Sequence, residues 1–363
     1  MTRKRRRSRP HDEPLPPKDG WVPWGGQEVW AVGETSGGAP YGLAREEFRM
    51  AGERDYPEAG WVRAKAVLSW AIKGRVGRGA SVDVGRGLSR DLFAAEVNVS
   101  PDLHDLSGVY VVPLPRRDAI LGFDARTRRE AVLLERLGAF KLPFRVPRLI
   151  GVVPEAGRPV MVREFLEGLD LDLRAGRQPG VRPWEVVGRL AAAIHNIDVA
   201  EFQTILPGHT TRREHAEAVL GIFNGLEGGE IQDAYAWAWQ HLPAMTPSVF
   251  VHGDLLGQNI LMWPKEPPAV IDWEYAMRGD PAYDLAIVTR GVRRPFQVDR
   301  GLERLLEAYV AAGGAPLDAA DVRFHEICLA AGWYREALDG RGPEPPDQAL
   351  LRLRGILRRA QAA

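Results

Sequence analysis

Residues 248–286, SVFVHGDLLGQNILMWPKEPPAVIDWEYAMRGDPAYDLA, constrain the fold more than any other part of the chain. Three apolar runs lie within them, at 249–251, 260–263 and 269–271. Each is too short for a stable helix and reads as a buried strand. Between the second and third runs, Pro264-Lys265-Glu266-Pro267-Pro268 can only turn. Those two runs are therefore expected to fold back on each other as a hairpin. Asp254 follows the first run, Asn259 stands just before the second, and Asp272 closes the third. Such a topology brings two carboxylates and one amide to the same end of a small sheet.

Phosphoryl transfer is the chemistry that this trio suggests. Oxygen ligands with few neighbours, here Asn259 and Asp272, suit Mg²⁺, which keeps waters and phosphate oxygens as its other ligands. A separate aspartate off the metal, Asp254, is placed to orient and deprotonate an attacking hydroxyl. His252, two residues earlier, is a candidate to hold the loop by hydrogen bonds. A lone H-x-D arises by chance in surface loops, but His, Asp, Asn and Asp interleaved with three strand-like runs is a specific pattern.

His252-x-Asp254-x4-Asn259 followed by Ile271-Asp272 resembles the catalytic signature of the aminoglycoside phosphotransferase family, in the protein-kinase-like superfamily. The trailing segment from Gly279 to Ala286, GDPAYDLA, is similar to that family too. There the aspartate matching Asp284 braces the catalytic loop. The resemblance covers roughly residues 99–363, is strongest at 248–286 and is weak before 125. It implies an α+β, two-lobed protein-kinase-like fold with a small β-rich N-lobe, a larger mostly helical C-lobe, and an N-terminal extension. It also implies ATP and Mg²⁺ as cofactors, with a small-molecule hydroxyl as the acceptor.

The N-lobe pattern begins at Val97. Apolar runs at 109–114 and 119–123, joined by Pro115-Arg116-Arg117-Asp118, read as a hairpin. Residues 127–137 read as a helix with Val132, Leu133, Leu134 and Leu137 toward the core, and two strands follow at 146–151 and 159–165. By the resemblance, Glu130 matches the helix glutamate that pairs with a strand lysine. The matching strand position falls near Gly122, and no lysine is close. Arg126, Arg116 or Arg117 is the candidate replacement at the phosphates, since arginine is a planar, always-charged donor. Asp102–Tyr110 (DLHDLSGVY) is where the phosphate loop is expected, with Gly108 its only glycine. REFLEG at 163–168 resembles the hinge between lobes, where backbone groups of Glu164 and Leu166 would meet the adenine edge.

The expected domains are a basic, proline-rich disordered tail at 1–20, an extension at 21–98, an N-lobe at 99–166, and a C-lobe at 167–363 with the catalytic loop at 250–260. In the extension, Trp21, Trp24 and Trp30 flank a Gly-Gly turn, and 43–51 and 61–72 have helical spacing. A structural buttress is the plain reading, and a protein partner for it has no support. In the C-lobe, 184–197, 212–241, 301–312, 319–338 and 348–361 are helical, and His195 near a helix end reads as structural. Asp321, Glu326, Glu336 and Asp339 offer carboxylates to a polyamine acceptor such as an aminoglycoside, although carboxylates on helices are usually solvated.

Composition sets the outer bounds. A formal net charge of zero gives no case for nucleic acid or membrane as a partner. No apolar run approaches the ~18 residues of a membrane span, and the basic N-terminus has no apolar segment behind it. A cytoplasmic location, where ATP is available, is expected. The single cysteine, Cys328, excludes an internal disulfide and reads as a buried thiol. The rival to a phosphotransferase is a nucleotide-binding pseudokinase acting as a regulatory or partner-binding module. The absent lysine favours that rival, and the complete Asp254, Asn259 and Asp272 set argues against it.

Overall fold

The computed structural model describes residues 123–155 and 157–362 and, upstream of them, six strands and the helical positions Val67 and Ala71. The expected tail at 1–20, residues 102–107 of the expected phosphate loop, Arg116, Arg117 and Gly122 lie outside the described residues. The chain divides into two units, residues 1–56 and 57–363. In the first unit, β1 (Trp21–Trp24), β2 (Gln27–Glu34) and β3 (Pro40–Ala44) form an antiparallel sheet in that order. Trp21 stands opposite Trp30, so the tryptophan-rich run is a hairpin. The helix expected to start at residue 43 is a strand there, because Leu43 and Ala44 pair with Trp30 and Val29.

The second unit opens on a five-stranded antiparallel sheet. It contains β4 (Val82–Arg86), β5 (Arg90–Val97), β6 (Gly108–Pro115), β7 (Leu149–Glu155) and β8 (Arg158–Glu164), in the order β4-β5-β6-β8-β7. Helix α1 (Phe123–Leu137) joins β6 to β7 and packs on β7 and β8. Three expectations change here. The sheet starts at residue 82, inside the segment assigned to the extension. The sheet neighbours of β6 are β5 upstream and β8, and of the run at 119–123 only Phe123, the first residue of α1, is among the described residues. Val132, expected inside, is 48% exposed. The helical period explains this: 128, 132, 135 and 136 share the solvent face, while Ala131, Leu134 and Leu137 face the core.

Beyond the sheet the chain is mostly helical. Short β9 (Leu169–Asp170) precedes α2 (Pro183–His195), α3 (Arg212–Leu220) and α4 (Gly229–Gln240). Proline at the first turn of α2 loses no helical bond, and a Thr211–Glu214 capping box starts α3. Four short strands follow: β10 (Val249–Val251), β11 (Ile260–Met262), β12 (Ala269–Val270) and β13 (Met277–Gly279). Helices α5 (Pro281–Thr289), α6 (Gly301–Ala311), α7 (Ala319–Leu338) and α8 (Pro346–Gln361) complete the unit. No helix among the described residues is long and apolar enough to cross a membrane.

Two apolar clusters hold these elements. One joins Leu134 of α1 and Met161 of β8 to α2, Phe250, Trp273, Leu285 and Leu305. The other packs α3, α4, α7 and α8 around Phe324 and Ile356, with Cys328 buried in it. Among the described residues Trp273 is the largest fully buried side chain, and burial of an aromatic of that size stabilises by roughly 2–3 kcal/mol. It lies next to Asp272, so the core clamps the chain where the site begins.

Candidate active site

The hairpin expected from the proline-rich turn is present: Ile260 pairs with Val270 and Leu261 with Ala269, while β9 covers the other edge of β11. The first apolar run belongs elsewhere. β10 pairs antiparallel with β13, so the trio is divided between the ends of two small sheets. A backbone bond from Ile271 N–H to the Asn259 carbonyl (3.0 Å) brings the second and third members together. Asn259 Nδ2 then donates to both the Asp254 carbonyl (2.8 Å) and its Oδ2 (2.9 Å). With its nitrogen spent on Asp254, Asn259 has its amide oxygen left for a ligand. Asp272 has no side-chain hydrogen bond or ion pair among the described residues.

His252 is buried and holds the loop from within. Its Nε2 stands 3.1 Å from the Ile271 carbonyl, and its Nδ1 accepts the Asp254 N–H at 3.2 Å. Those partners require Nε2 to carry the proton and Nδ1 to accept. Burial lowers the imidazole pKa, against the pull of Asp284 and Asp272, which keeps the ring neutral. Its ring also lies 4.5 Å, centroid to centroid, from that of Trp273, whose indole N–H donates to the Val270 carbonyl. Trp273 thus supports both the loop and the hairpin. The Ile-Asp-Trp order contained that signal, but sequence reasoning attached no role to the tryptophan.

Asp284, on α5, is fully buried. Its carboxylate accepts the backbone N–H of His252 (2.9 Å) and of Gly253 (2.8 Å), and lies 3.1 Å from His195 Nε2. Burial alone would raise its pKa, but the His195 hydrogen bond, then the charges of His195 and His252, bring it below the ordinary value. His195 is itself fixed by the Tyr309 hydroxyl, 2.9 Å from Nδ1. Gly253 has φ +82°, and a Cβ there would lie 2.3 Å from the Tyr275 carbonyl oxygen. Only glycine fits between the two segments.

Burial, then the charge of Asp272, push the Asp254 carboxyl up to about 6, while the Asn259 amide and the Arg290 charge pull it down. Arg290 was not anticipated. It caps α5 in a left-handed conformation, with no carboxylate in ion-pair reach among the described residues. Asp272 is also left-handed, with φ 67° and ψ 61°, which costs a non-glycine residue about 1–2 kcal/mol.

The remaining candidates fall as follows. Arg126 is directed at the ring of Tyr275: its guanidinium carbon is 5.4 Å from the ring centroid and Nη1 is 3.4 Å from the hydroxyl. Glu130 is buried, with Arg163 Nη1 3.6 Å from its carboxylate. Glu164 donates its N–H to the Arg148 carbonyl, whereas buried Leu166 makes no backbone hydrogen bond among the described residues. Three of the four acidic residues on the C-terminal helices are already paired: Asp321 with Arg212 (3.0 Å), buried Glu326 with Arg323 and Thr289, and Asp339 with Arg341. Glu336 is exposed.

The sequence model of the phosphotransferase enzyme family matches residues 102–325. Homoserine kinase of Rhizobium rhizogenes is 28% identical over 191 residues, which cover 50% of this chain and 56% of that protein. The chain spans about half the length of such curated relatives. Among solved structures, macrolide 2'-phosphotransferase MphH from Brachybacterium faecium superposes with a TM-score of 0.57 at 22% identity, covering 80% of this chain and 98% of that one. A thermostable mutant of aminoglycoside phosphotransferase APH(4)-Ia, in ternary complex with ADP and hygromycin B, gives a TM-score of 0.58 at 16% identity, covering 82% and 99%. The fold is thus the two-lobed, kinase-like fold of phosphotransferases.

Proposed function

We propose that this chain, which belongs to the phosphotransferase enzyme family, moves the γ-phosphoryl group of ATP to a hydroxyl of a small molecule. One arrangement carries the reading. Asn259 is bonded through its nitrogen to Asp254 and through its backbone to the residue before Asp272. The amide oxygen of Asn259 and the unspent carboxylate of Asp272 are thereby tied through one backbone bond, beside a second carboxylate, Asp254, that accepts the Asn259 side-chain N–H. The donor chemistry suits a hard cation, and the mutual repulsion of Asp254 and Asp272 is what such a cation would relieve. Bound there by Asn259 and Asp272, Mg²⁺ would offset the charge of the phosphates.

Asp254 acts as the base. The acceptor oxygen attacks the γ-phosphorus, the bond to the β-phosphate oxygen breaks, and the hydroxyl proton passes to the Asp254 carboxylate. Burial, the largest cause of its raised pKa, acts on the Asp254 carboxyl whether or not the cation relieves the Asp272 charge, and moves it toward neutral pH, where a general base is most effective. Asp284 and His252 keep that carboxylate in place through the backbone of 252–254. The open backbone groups of Leu166 support an adenine edge at the 164–168 connection, where the Glu164 N–H is already given to the Arg148 carbonyl.

The acceptor reading turns on charge. A polyamine needs free carboxylates, and Asp321, Glu326 and Asp339 are spent on arginines. Arg290, whose charge acts on Asp254, has no carboxylate within ion-pair distance among the described residues. This favours a hydroxyl compound bearing a carboxylate, such as a hydroxy amino acid of the kind named for the homoserine kinase relatives. The test is acceptor-dependent ADP release by the purified full chain with Mg-ATP, homoserine, other hydroxy acids and an aminoglycoside. Release with a hydroxy acid, abolished in Asp254→Asn, is expected. Failure to bind Mg-nucleotide and to release ADP with any acceptor would sink the reading.

A further inference from the structure

The strand leading into α1 is β6, GVYVVPLP, and it contains no lysine or arginine. A cation for Glu130 therefore cannot come from that strand. The neighbouring strand supplies one: in the β6–β8 register, Val111 stands opposite Arg163. Directly opposed residues lie on one face of a sheet. Met161, two residues back and so on that same face, is buried in the core with Ala131 and Leu134 of α1. Arg163 thus faces α1, and its Nη1 lies 3.6 Å from Glu130 Oε1, with the two side chains 12% and 0% exposed.

The geometry of the pair leaves the guanidinium unfinished. A separation of 3.6 Å is an ion pair but not a hydrogen bond, and Arg163 Nη1 has no hydrogen bond among the described residues. A buried guanidinium with unspent N–H donors is poorly compensated until something fills them. Its position says what does. Residues 126, 129 and 130 form one stripe along α1, and that stripe also meets the segment after Asp272: Arg129 Nη2 donates to the Glu274 carbonyl (3.2 Å), and Arg126 lies over Tyr275. Arg163 also immediately precedes the 164–168 connection. The guanidinium thus adjoins the connection on one side and, through Glu130, the helix stripe that reaches the turn after Asp272 on the other, the two ends between which the proposed nucleotide would run.

We propose that Arg163, oriented by Glu130, is the cation that binds the polyphosphate of the nucleotide, taking the place of a lysine on the preceding strand. The proposal rests on the phosphotransferase reading above. A guanidinium has the planar fork that suits phosphate oxygens, and an ammonium at the same place would be a shorter point charge.

The experiment compares adenosine with ADP, both by calorimetry with Mg²⁺ on the full-length protein. Arg163→Gln is expected to weaken ADP by roughly 10–100-fold, the worth of a charge-assisted hydrogen bond, and to leave adenosine within two-fold. Nucleotide KM should rise while acceptor KM stays level, and Arg163→Lys should recover part of the ADP affinity. Glu130→Gln, close in shape, tests the orienting role and is the second route should Arg163→Gln fail to fold. It should weaken ADP several-fold, again sparing adenosine. Equal loss of adenosine and ADP in either variant overturns the proposal, because it means a base contact or a structural role. Unchanged ADP affinity overturns it as well. If the unsubstituted protein binds neither ligand, the phosphotransferase reading falls first. If it binds ADP and Arg163→Gln binds it equally, only the assignment of Arg163 falls.

Discussion

Replacing Asp284 by asparagine removes one charge and turns one oxygen into a donor, with little change of shape. In the native protein the carboxylate meets three donors: the N–H groups of His252 and Gly253 and the Nε2 of His195. Two of them converge on Oδ2 and one on Oδ1. Asparagine can at best keep the two on its oxygen, as neutral bonds, and must turn its NH₂ toward the Gly253 N–H. Losing one charge-assisted bond and weakening two others amounts to about 3–5 kcal/mol. For a unit of this size that is a fall in Tm of roughly 5–15 °C. Gly253 is also the residue before Asp254, and a shift of about 1 Å in a reacting group typically costs on the order of 10²-fold in rate. Thermal melting and steady-state kinetics, run well below the variant's Tm, separate the two effects. Asp284→Asn should lose both stability and kcat while Mg-ATP affinity changes little. A variant that melts within a degree of the unsubstituted protein would refute the accounting of the three bonds. One that is destabilised but keeps full kcat would show that Asp284 serves the fold and not the loop.

Asp254→Asn should leave Mg-ATP affinity nearly intact while turnover falls by roughly 10²–10⁴-fold, whereas Asp272→Ala should weaken Mg²⁺-dependent nucleotide binding as well; titrations with and without Mg²⁺ distinguish them, and the reverse pattern would exchange the two roles. Arg126→Ala is expected to lower kcat a few-fold with nucleotide KM within two-fold, since its guanidinium lies on Tyr275; a large rise in nucleotide KM would instead make it a phosphate ligand. Burial, then the like charge of His325, lowers the His215 pKa to about 3, so the unfolded chain takes up a proton between pH 6.5 and 3 that the folded one resists. Stability from this site is complete above pH 6.5 and falls by up to ~1.4 kcal/mol per pH unit below it, a contribution that urea denaturation at pH 7.5 and 5.5 would read as the part of the difference that His215→Gln removes.

The site was more legible in the sequence than the lobe that faces it, and the reason is chain distance. Asp254, Asn259, Asp272 and Asp284 lie within 31 residues, joined by strands too short and a turn too proline-rich to fold in many ways. Even there, the pairing of β10 with β13 was hidden, because nothing in a three-residue run names its partner. In the small lobe, β4 (VDVGR) and β5 (RDLFAAEV) mix polar and apolar residues without clean alternation, so the sheet was expected to begin too late. The cation beside Glu130 was sought on the preceding strand, whereas it stands two elements further on, in an otherwise apolar run, PVMVRE. A charged residue inside such a run was the available signal. Carboxylates on α7 looked open only because the arginines that occupy them, Arg212 among them, are remote in sequence.

Two residues of positive φ, Gly253 beside the proposed base and Asp272, the proposed metal ligand, are linked by the fold. The space where a side chain of residue 253 would go is filled by the carbonyl of Tyr275, which belongs to the short helical turn that Asp272 opens. Backbone strain of this kind persists only where the surroundings over-determine it. Here the surroundings are Trp273, anchored in the core, and the Asp284 carboxylate that holds residues 252 and 253. The proposed base and the proposed metal ligand therefore cannot move independently: shifting the turn after Asp272 moves the Tyr275 carbonyl against Gly253, and so moves Asp254. Arg126 and Arg129 tie α1 to that same turn. Helix α1 is thus coupled mechanically to the loop that carries the proposed base, through a turn of three residues and a glycine that has no room for a methyl group.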